Sequence, residues 1–454
     1  MKLSRPFNSP FVMPILFFVI VILAGSVLLH GAERNKPDAL SWTDAVFTAT
    51  SAACVTGLVV VDTGSYFTTL GQVTILCLMQ LGGLGIMTFT SLSIYIWRRR
   101  TTITDRIAVG QILLHDATFN LGRFLIEIVC WTFLIEAVGA VLLFLLDPVA
   151  FSPLSAVFHA VSAFCNAGFS LFRDSLMGFK GDWGVNLVFM GLIVVGGIGF
   201  SVFVELKSDL ARRLAGRRRM EGKGISWYAR IVLRTTIMLI VLGAAAIYCA
   251  EFVGYNRMTM PEDSVLTALF QSVTARTAGF NTLDIGRMTN VSLMVLLFLM
   301  FFGGAPGSCA GGIKVTTLRV LAAAMWSQLK GESQVRIGKY AVRDNAVRKA
   351  MVLFILASMI IFLAAFLLDF TEGGNKPHFL VRGQFLEILF ESVSAFCTVG
   401  LSTGLTATLS TAGKWIIILL MFVGRLGPFV LIAALQRVQE TPYYRLPEES
   451  LMIG

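Results

Sequence analysis

SAFCTVGLSTG, residues 394–404, runs from an apolar segment into a glycine-centred turn, and the chain holds three further versions of it. They are TSAACVTGL at 50–58, SAFCNAGFS at 162–170 and TARTAGFNT at 274–282. The aligned glycines, Gly57, Gly168, Gly279 and Gly400, lie 111, 111 and 121 residues apart. Matched spacing with matched flanks marks a chain built from repeats, so the fold is read as four copies of one unit.

Each glycine follows a short run of helical periodicity, at 42–53, 152–164, 261–275 and 383–396. These runs are too short to cross a hydrocarbon core of ~30 Å, so they are read as re-entrant helices. Thr43-Asp44, Ser152-Pro153 and Pro261-Glu262-Asp263 are cap and first-turn residues of the usual kind. A helix ending inside a membrane points partly negative carbonyls at its end, which favours a cation. The positions before each glycine read Val55-Thr56, Asn166-Ala167, Thr277-Ala278 and Thr398-Val399. Glycine permits φ > 0, which lets successive carbonyls face one axis. The CTVGL run at 397–401 shares its TVG core with the TVGYG loop of potassium channels, whose carbonyls replace an ion's hydration shell. Those twelve residues, from Val55–Gly57, Asn166–Gly168, Thr277–Gly279 and Thr398–Gly400, are the candidate carbonyl sites for a cation.

Composition sets the solvent. The chain is 56% hydrophobic and 14% charged, with mean hydropathy +0.77, where soluble domains carry ~25% charge. Eight stretches are apolar enough to span a membrane, at 11–30, 70–97, 121–146, 184–206, 231–253, 291–325 (interrupted), 349–370 and 412–436. The first follows a basic start but no clean cleavage site, and is read as a retained span.

The net charge of +10 is concentrated. Lys2, Arg5 and the segments 97–106, 207–230 and 330–349 hold 20 of the 37 Lys and Arg. The positive-inside rule makes these segments and both termini cytoplasmic. Topology accounts for the basic bias without nucleic acid, and the arginines of RRLAGRRR (212–219) are placed to meet anionic lipid headgroups. Seven cysteines and four histidines show neither a disulfide framework nor metal-ligand spacing. Without HExxH, GxSxG or a phosphate-binding glycine loop, an enzyme reading has almost nothing to stand on.

A second stretch breaks the pattern. In FFGGAPGSCAGGIKVTTL (301–318), Gly303, Gly304, Pro306, Gly307, Gly311 and Gly312 interrupt the second long helix of the third repeat. In a helix each glycine loses roughly 1 kcal/mol against alanine, and proline about 3 kcal/mol. Either the helix is merely kinked or a loop lines a cavity at membrane depth.

Together with QLGGLGIMTF (80–89) and GRLGP (424–428), these motifs make the chain resemble the Trk/Ktr/HKT superfamily of cation transporters, in particular its bacterial potassium-uptake pore subunits. The resemblance runs from about residue 10 to 437. Length places the chain closer to the Ktr (KtrB-like) form than to the Trk (TrkH-like) form.

The resemblance implies an all-α integral membrane fold of four fused span, pore-helix, span units around one pore. The expected boundaries are 8–105, 106–226, 227–340 and 341–438, followed by a cytoplasmic tail at 439–454. Four filter glycines go with potassium preference in that family. A sodium-permeable or Na⁺/H⁺-coupled symporter on the same scaffold is the alternative. The 303–312 loop is expected to gate the pore, with Arg425 donating to its carbonyls or else snorkelling inward. Lys314, just past the loop, is expected beside it, with no settled role.

Arg276 takes the place that cysteine holds in the other repeats and needs an acidic or carbonyl partner. Glu391 is the candidate, in a structural tie behind the filter. Family members form homodimers in a bacterial cytoplasmic (inner) membrane and dock on a separate RCK/KTN regulatory ring that binds ATP, ADP or NAD.

Overall fold

A computed structural model describes residues 12–36, 39–84, 121–214, 225–253, 264–373, 377, 381 and 383–427. Lys2, Arg5, the basic segment 97–106, Arg217 to Arg219, Pro261 to Asp263, Pro428 and the 439–454 tail lie outside the described residues. The second halves of the expected spans 70–97 and 412–436 fall largely outside them too.

The described chain is overwhelmingly helical, and one order of elements recurs. A long helix, a short helix, a glycine turn and a second helix appear in sequence as α1 (Val12–Ala32), α2 (Trp42–Ala53) and α3 (Thr69–Gly83). The same order gives α4 (Leu121–Leu146), α5 (Pro153–Phe164) and α6 (Trp183–Gly197), continued by α7 (Phe200–Leu214). Next come α8 (Trp227–Tyr248), α9 (Ser264–Thr274) and α10 (Asn290–Phe301), followed after a break by α11 (Val315–Leu329). Last are α12 (Asp344–Leu368), α13 (Gln384–Phe396) and α14 (Thr411–Leu426).

Among the described residues, Pro14–Ala32, Ile126–Leu146, Trp227–Val253 and Asp344–Gly373 are long and apolar enough to cross a bilayer. Only 28–33% of each is buried inside the protein. Rows such as Ile20, Leu23 and Val27, or Ile355, Met359 and Phe362, are exposed. Apolar faces of that extent are stable against lipid and not against water.

Packing between units is cyclic. Helix α3 lies on α5, α6 on α9, α10 on α13 and α14 on α2. The last contact closes the circle, and the Lys414 ammonium fixes it against Asp44 at 2.6 Å.

The sequence places one continuous span over 184–206, whereas α6 and α7 meet at 109°. Gly199, at φ 86°, makes the turn. The amphipathic α7, with Arg212 and Arg213 in its last turn, leaves the direction of the apolar α6.

Other relations lie off the periodicity. Three second helices start on a Thr or Ser cap that is itself held by a glutamate from the end of the long helix before it. Glu33 accepts from the Thr68 amide and hydroxyl, both at 2.7 Å. Glu251 does the same for Thr289 and Glu372 for Ser410.

Candidate functional site: a glycine ring above a folded loop

The four glycine turns converge. A Cβ added to Gly57 would meet the Ala167 carbonyl oxygen and Gly168 Cα, and one on Gly168 would meet the Ala278 oxygen and Gly279 Cα. Gly279 faces the Val399 oxygen and Gly400 Cα in the same way, and Gly400 returns to the Thr56 oxygen and Gly57 Cα. The ring is therefore closed, and the next segment's carbonyl occupies the space a side chain would need.

Its backbone alternates. Gly57, Gly168, Gly279 and Gly400 have φ of 91°, 70°, 83° and 92°. The residues two before them, Val55, Asn166, Thr277 and Thr398, are also positive, at 55°, 57°, 74° and 50°. For β-branched Val55, Thr277 and Thr398 this costs on the order of 1–3 kcal/mol each, and it persists only where surroundings impose it.

The surroundings are the short helices. Ser51 and Ser394 hydroxyls accept from the Gly57 and Gly400 amides at 3.1 Å. Ser162 and Thr274 hydroxyls donate to the Phe169 and Phe280 carbonyls at 2.7 and 2.6 Å. Cys54, Cys165 and Cys397 are buried C-caps of α2, α5 and α13. Among the described residues, the buried hydroxyls of Thr56, Thr277 and Thr398 have no hydrogen-bond partner.

Residues 302–314 form a loop packed directly against this ring. Its neck is a short parallel bridge of Phe302 with Ile313, in which the Gly303 amide donates to Ile313 at 3.0 Å and the Val315 amide to Gly304 at 3.1 Å. A Cβ on Gly311 would strike the Thr398 hydroxyl, and one on Gly303 would approach Thr277 Cγ2. The loop also docks on the break between α6 and α7. Ala305 and Cys309 amides donate to Gly197 and Gly196 at 2.9 and 3.2 Å, and the Phe200 amide donates to Gly307 at 3.2 Å. Cys309 Sγ reaches the Gly83 carbonyl at 2.8 Å. Gly307 and Gly312, at φ 72° and 63°, make its turns, and Pro306 immediately precedes the first of them.

The sequence profile of the TrkH family of cation transport proteins matches residues 4–443. The chain belongs to that family. It is 36% identical to the Ktr system potassium uptake protein B of Bacillus subtilis, covering 99% of this chain and 97% of that one. It is 33% identical to the potassium/sodium uptake protein NtpJ of Enterococcus hirae, covering 96% and 95%. The crystal structure of the potassium transporter TrkH from Vibrio parahaemolyticus superposes with TM-score 0.74 over 96% of this chain and 86% of that one. At 21% identity, this last likeness is one of fold.

Three cationic side chains of this TrkH-family member reach the loop. Arg425 Nη1 donates to the Cys309 carbonyl at 2.6 Å, and its Nη2 donates to the Gly82 carbonyl. Lys314 Nζ donates to Ala310 at 2.7 Å and Gly311 at 3.3 Å. Arg276 is buried, with Nη2 donating to the Gly303 carbonyl at 3.3 Å and meeting the Thr236 hydroxyl at 3.4 Å.

The expected Arg276 to Glu391 pair is not formed. Glu391 accepts instead from the Ser402 hydroxyl, the Thr403 amide at 3.2 Å and the Thr406 hydroxyl at 2.7 Å. Depth explains the difference. Glu391 precedes Cys397, the counterpart of Arg276, by six residues, roughly 9 Å along a helix. It therefore fastens the outgoing 402–406 segment.

Sequence reasoning passed over a second set of glycines. A Cβ on Gly82, Gly196 or Gly424 would collide with the carbonyl of Ala53, Phe164 or Phe396, each the last residue of its own short helix. The signal was present as Gly82-Gly83, Gly196-Gly197, Gly303-Gly304 and Gly424-Arg425. Glu136 was also missed. It is 4% exposed within apolar α4, and its Oε1 accepts from Cys165 Sγ at 3.6 Å.

Proposed function

We propose that this chain is the potassium-translocating subunit of a Ktr/Trk-type uptake system, with K⁺ stripped of water at the carbonyls of the glycine ring. The closed ring with paired positive-φ residues carries the reading. Alternation turns carbonyls of successive residues toward one axis, and the strain of holding three β-branched residues there makes sense at a site needing preorganised oxygens. Among the described residues, the buried hydroxyls of Thr277 and Thr398, each two residues before its glycine, and of Thr56, one residue before Gly57, have no hydrogen-bond partner and are further oxygens beside the ring. Twelve residues, Val55–Gly57, Asn166–Gly168, Thr277–Gly279 and Thr398–Gly400, form the filter.

In this reading the recurrent helices are four span, pore-helix, span repeats with eight membrane crossings, both termini cytoplasmic, in a bacterial inner membrane. The boundaries are 8–105, 106–226, 227–340 and 341–438. The 302–314 loop is the gate, held by Arg425 and Lys314. The names of the Ktr relatives support a system of several components. The partners are then a second copy of the chain and a cytoplasmic nucleotide-binding ring that moves the loop.

The Enterococcus relative named for both potassium and sodium supports a second reading, a Na⁺-permeable or Na⁺/H⁺-coupled transporter on the same scaffold. One experiment separates the two. Expression in a bacterium lacking potassium uptake, with and without a regulator, restores growth at low external K⁺ if the first reading holds. Rescue that requires Na⁺ supports the second. Absence of rescue under every condition overturns both.

A further inference from the structure

Two arginines stand where the other repeats carry small residues, and both aim at one loop. Arg425 occupies the position of Gly83, Gly197 and Gly304, while Arg276 occupies that of Cys54, Cys165 and Cys397. A guanidinium at membrane depth is expensive, so its contacts indicate what it is kept for. Arg276 is 7% exposed, and its Nε has no hydrogen-bond partner among the described residues. Among the described residues its side-chain hydrogen bonds go to the Gly303 carbonyl and the Thr236 hydroxyl of α8. Among the described residues it forms no ion pair.

Gly303 lies two residues past the end of α10, and its amide pairs with Ile313 at the base of the loop. A bond to its carbonyl therefore acts on the neck and leaves the tip free. Arg425 holds the opposite part of the loop through Cys309. Arg276 is also joined by its own peptide bond to Thr277 of the glycine ring, so a shift of that segment moves the guanidinium relative to the neck. At 3.3 Å the Gly303 contact lies at the long end of ordinary N–H···O hydrogen bonds.

We propose that Arg276 is a positioning residue of the gate, tethering the neck of the 302–314 loop at Gly303 and linking loop position to the ring through Thr277. This rests on the reading of that loop as the gate.

The test measures Rb⁺ flux into proteoliposomes with and without the regulatory subunit, together with inhibition by Na⁺. Arg276→Gln removes the tether and is expected to raise regulator-free flux roughly threefold to tenfold, with Rb⁺ over Na⁺ preference unchanged. Thr236→Asp keeps Arg276 but offers it a competing carboxylate, and is expected to act in the same direction. That variant decides the matter if Arg276→Gln fails to assemble.

Lost ion preference with intact regulator dependence in Arg276→Gln would assign the residue to filter support alone and overturn the proposal. Unchanged flux in Thr236→Asp would overturn it as well. Arg425→Ala serves as reference. If it alone releases the gate, only the role of Arg276 fails, and if it too is silent, the loop is not the gate.

Discussion

Arg425 and Cys309, 116 residues apart in sequence, are joined by a hydrogen bond of 2.6 Å, and the same guanidinium reaches the Gly82 carbonyl on α3. One side chain thus couples α14 to the 302–314 loop and to α3. Charge-assisted hydrogen bonds contribute about 1.5–3 kcal/mol each. Arg425→Ala should then shift the loop toward release by at least about tenfold, read as Rb⁺ flux without regulator. Arg425→Lys, unable to bridge two carbonyls in fork geometry, should fall between. Flux that stays regulator-dependent in both variants would refute the anchoring role.

Substitution in the glycine ring has a defined steric consequence. At Gly279 a side chain would push against the Val399 carbonyl, displacing the fourth segment as well as its own. Gly279→Ser is expected to abolish discrimination between Rb⁺ and Na⁺ before it abolishes flux, because carbonyl placement fails before the passage closes. Gly400→Ser should do the same through Thr56. Competition of Rb⁺ uptake by Na⁺ measures it, and unaltered competition would overturn the proposal that these glycines form a filter.

Much of this was legible in sequence where a local property decides structure. The segments expected at 42–53, 152–164, 261–275 and 383–396 are helices at Trp42–Ala53, Pro153–Phe164, Ser264–Thr274 and Gln384–Phe396. Hydrophobic length and glycine turns act within one stretch of chain, so the sequence exposes them. Partnerships across the fold were less visible. Arg276 and Glu391 looked like natural partners by charge, but depth along two different helices separated them, and depth is not written in residue type. The bend at Gly199 was hidden because α7 keeps an apolar stripe while leaving the direction of α6. The glutamate braces of Glu33, Glu251 and Glu372 join residues 35 to 38 positions apart, beyond the reach of any periodicity.

The glycines under the short helices should be more sensitive than those on the lipid face. Alanine at Gly82, Gly196 or Gly424 would force its methyl into a main-chain carbonyl that closes a short helix. Overpacking of this kind costs typically about 1–3 kcal/mol. Gly191, on the same helix as Gly196, has open space around it. Gly196→Ala should lower the thermal midpoint in detergent and reduce uptake, whereas Gly191→Ala should leave both near wild type. Equal behaviour of the two would show that close approach to Phe164 does not constrain α6.

Glu391 provides the sharpest check on the corrected pairing. Its carboxylate gathers the Ser402 and Thr406 hydroxyls and the Thr403 amide, so it fixes the segment that leaves the fourth glycine turn. Glu391→Ala strands these donors and should cost roughly 2–4 kcal/mol, since each orphaned buried group costs about 1–3 kcal/mol and part of the set reaches solvent. Glu391→Gln keeps one oxygen toward Ser402 and Thr403, and the Thr406 hydroxyl can reverse its role toward the new amide, so the loss should stay below about 1 kcal/mol. Because Arg276 bonds to Gly303 and Thr236 instead, a double-mutant cycle of Glu391→Gln with Arg276→Lys should be additive to within about 0.5 kcal/mol. A coupling well above that, measured by thermal or denaturant unfolding, would mean the two charges interact after all.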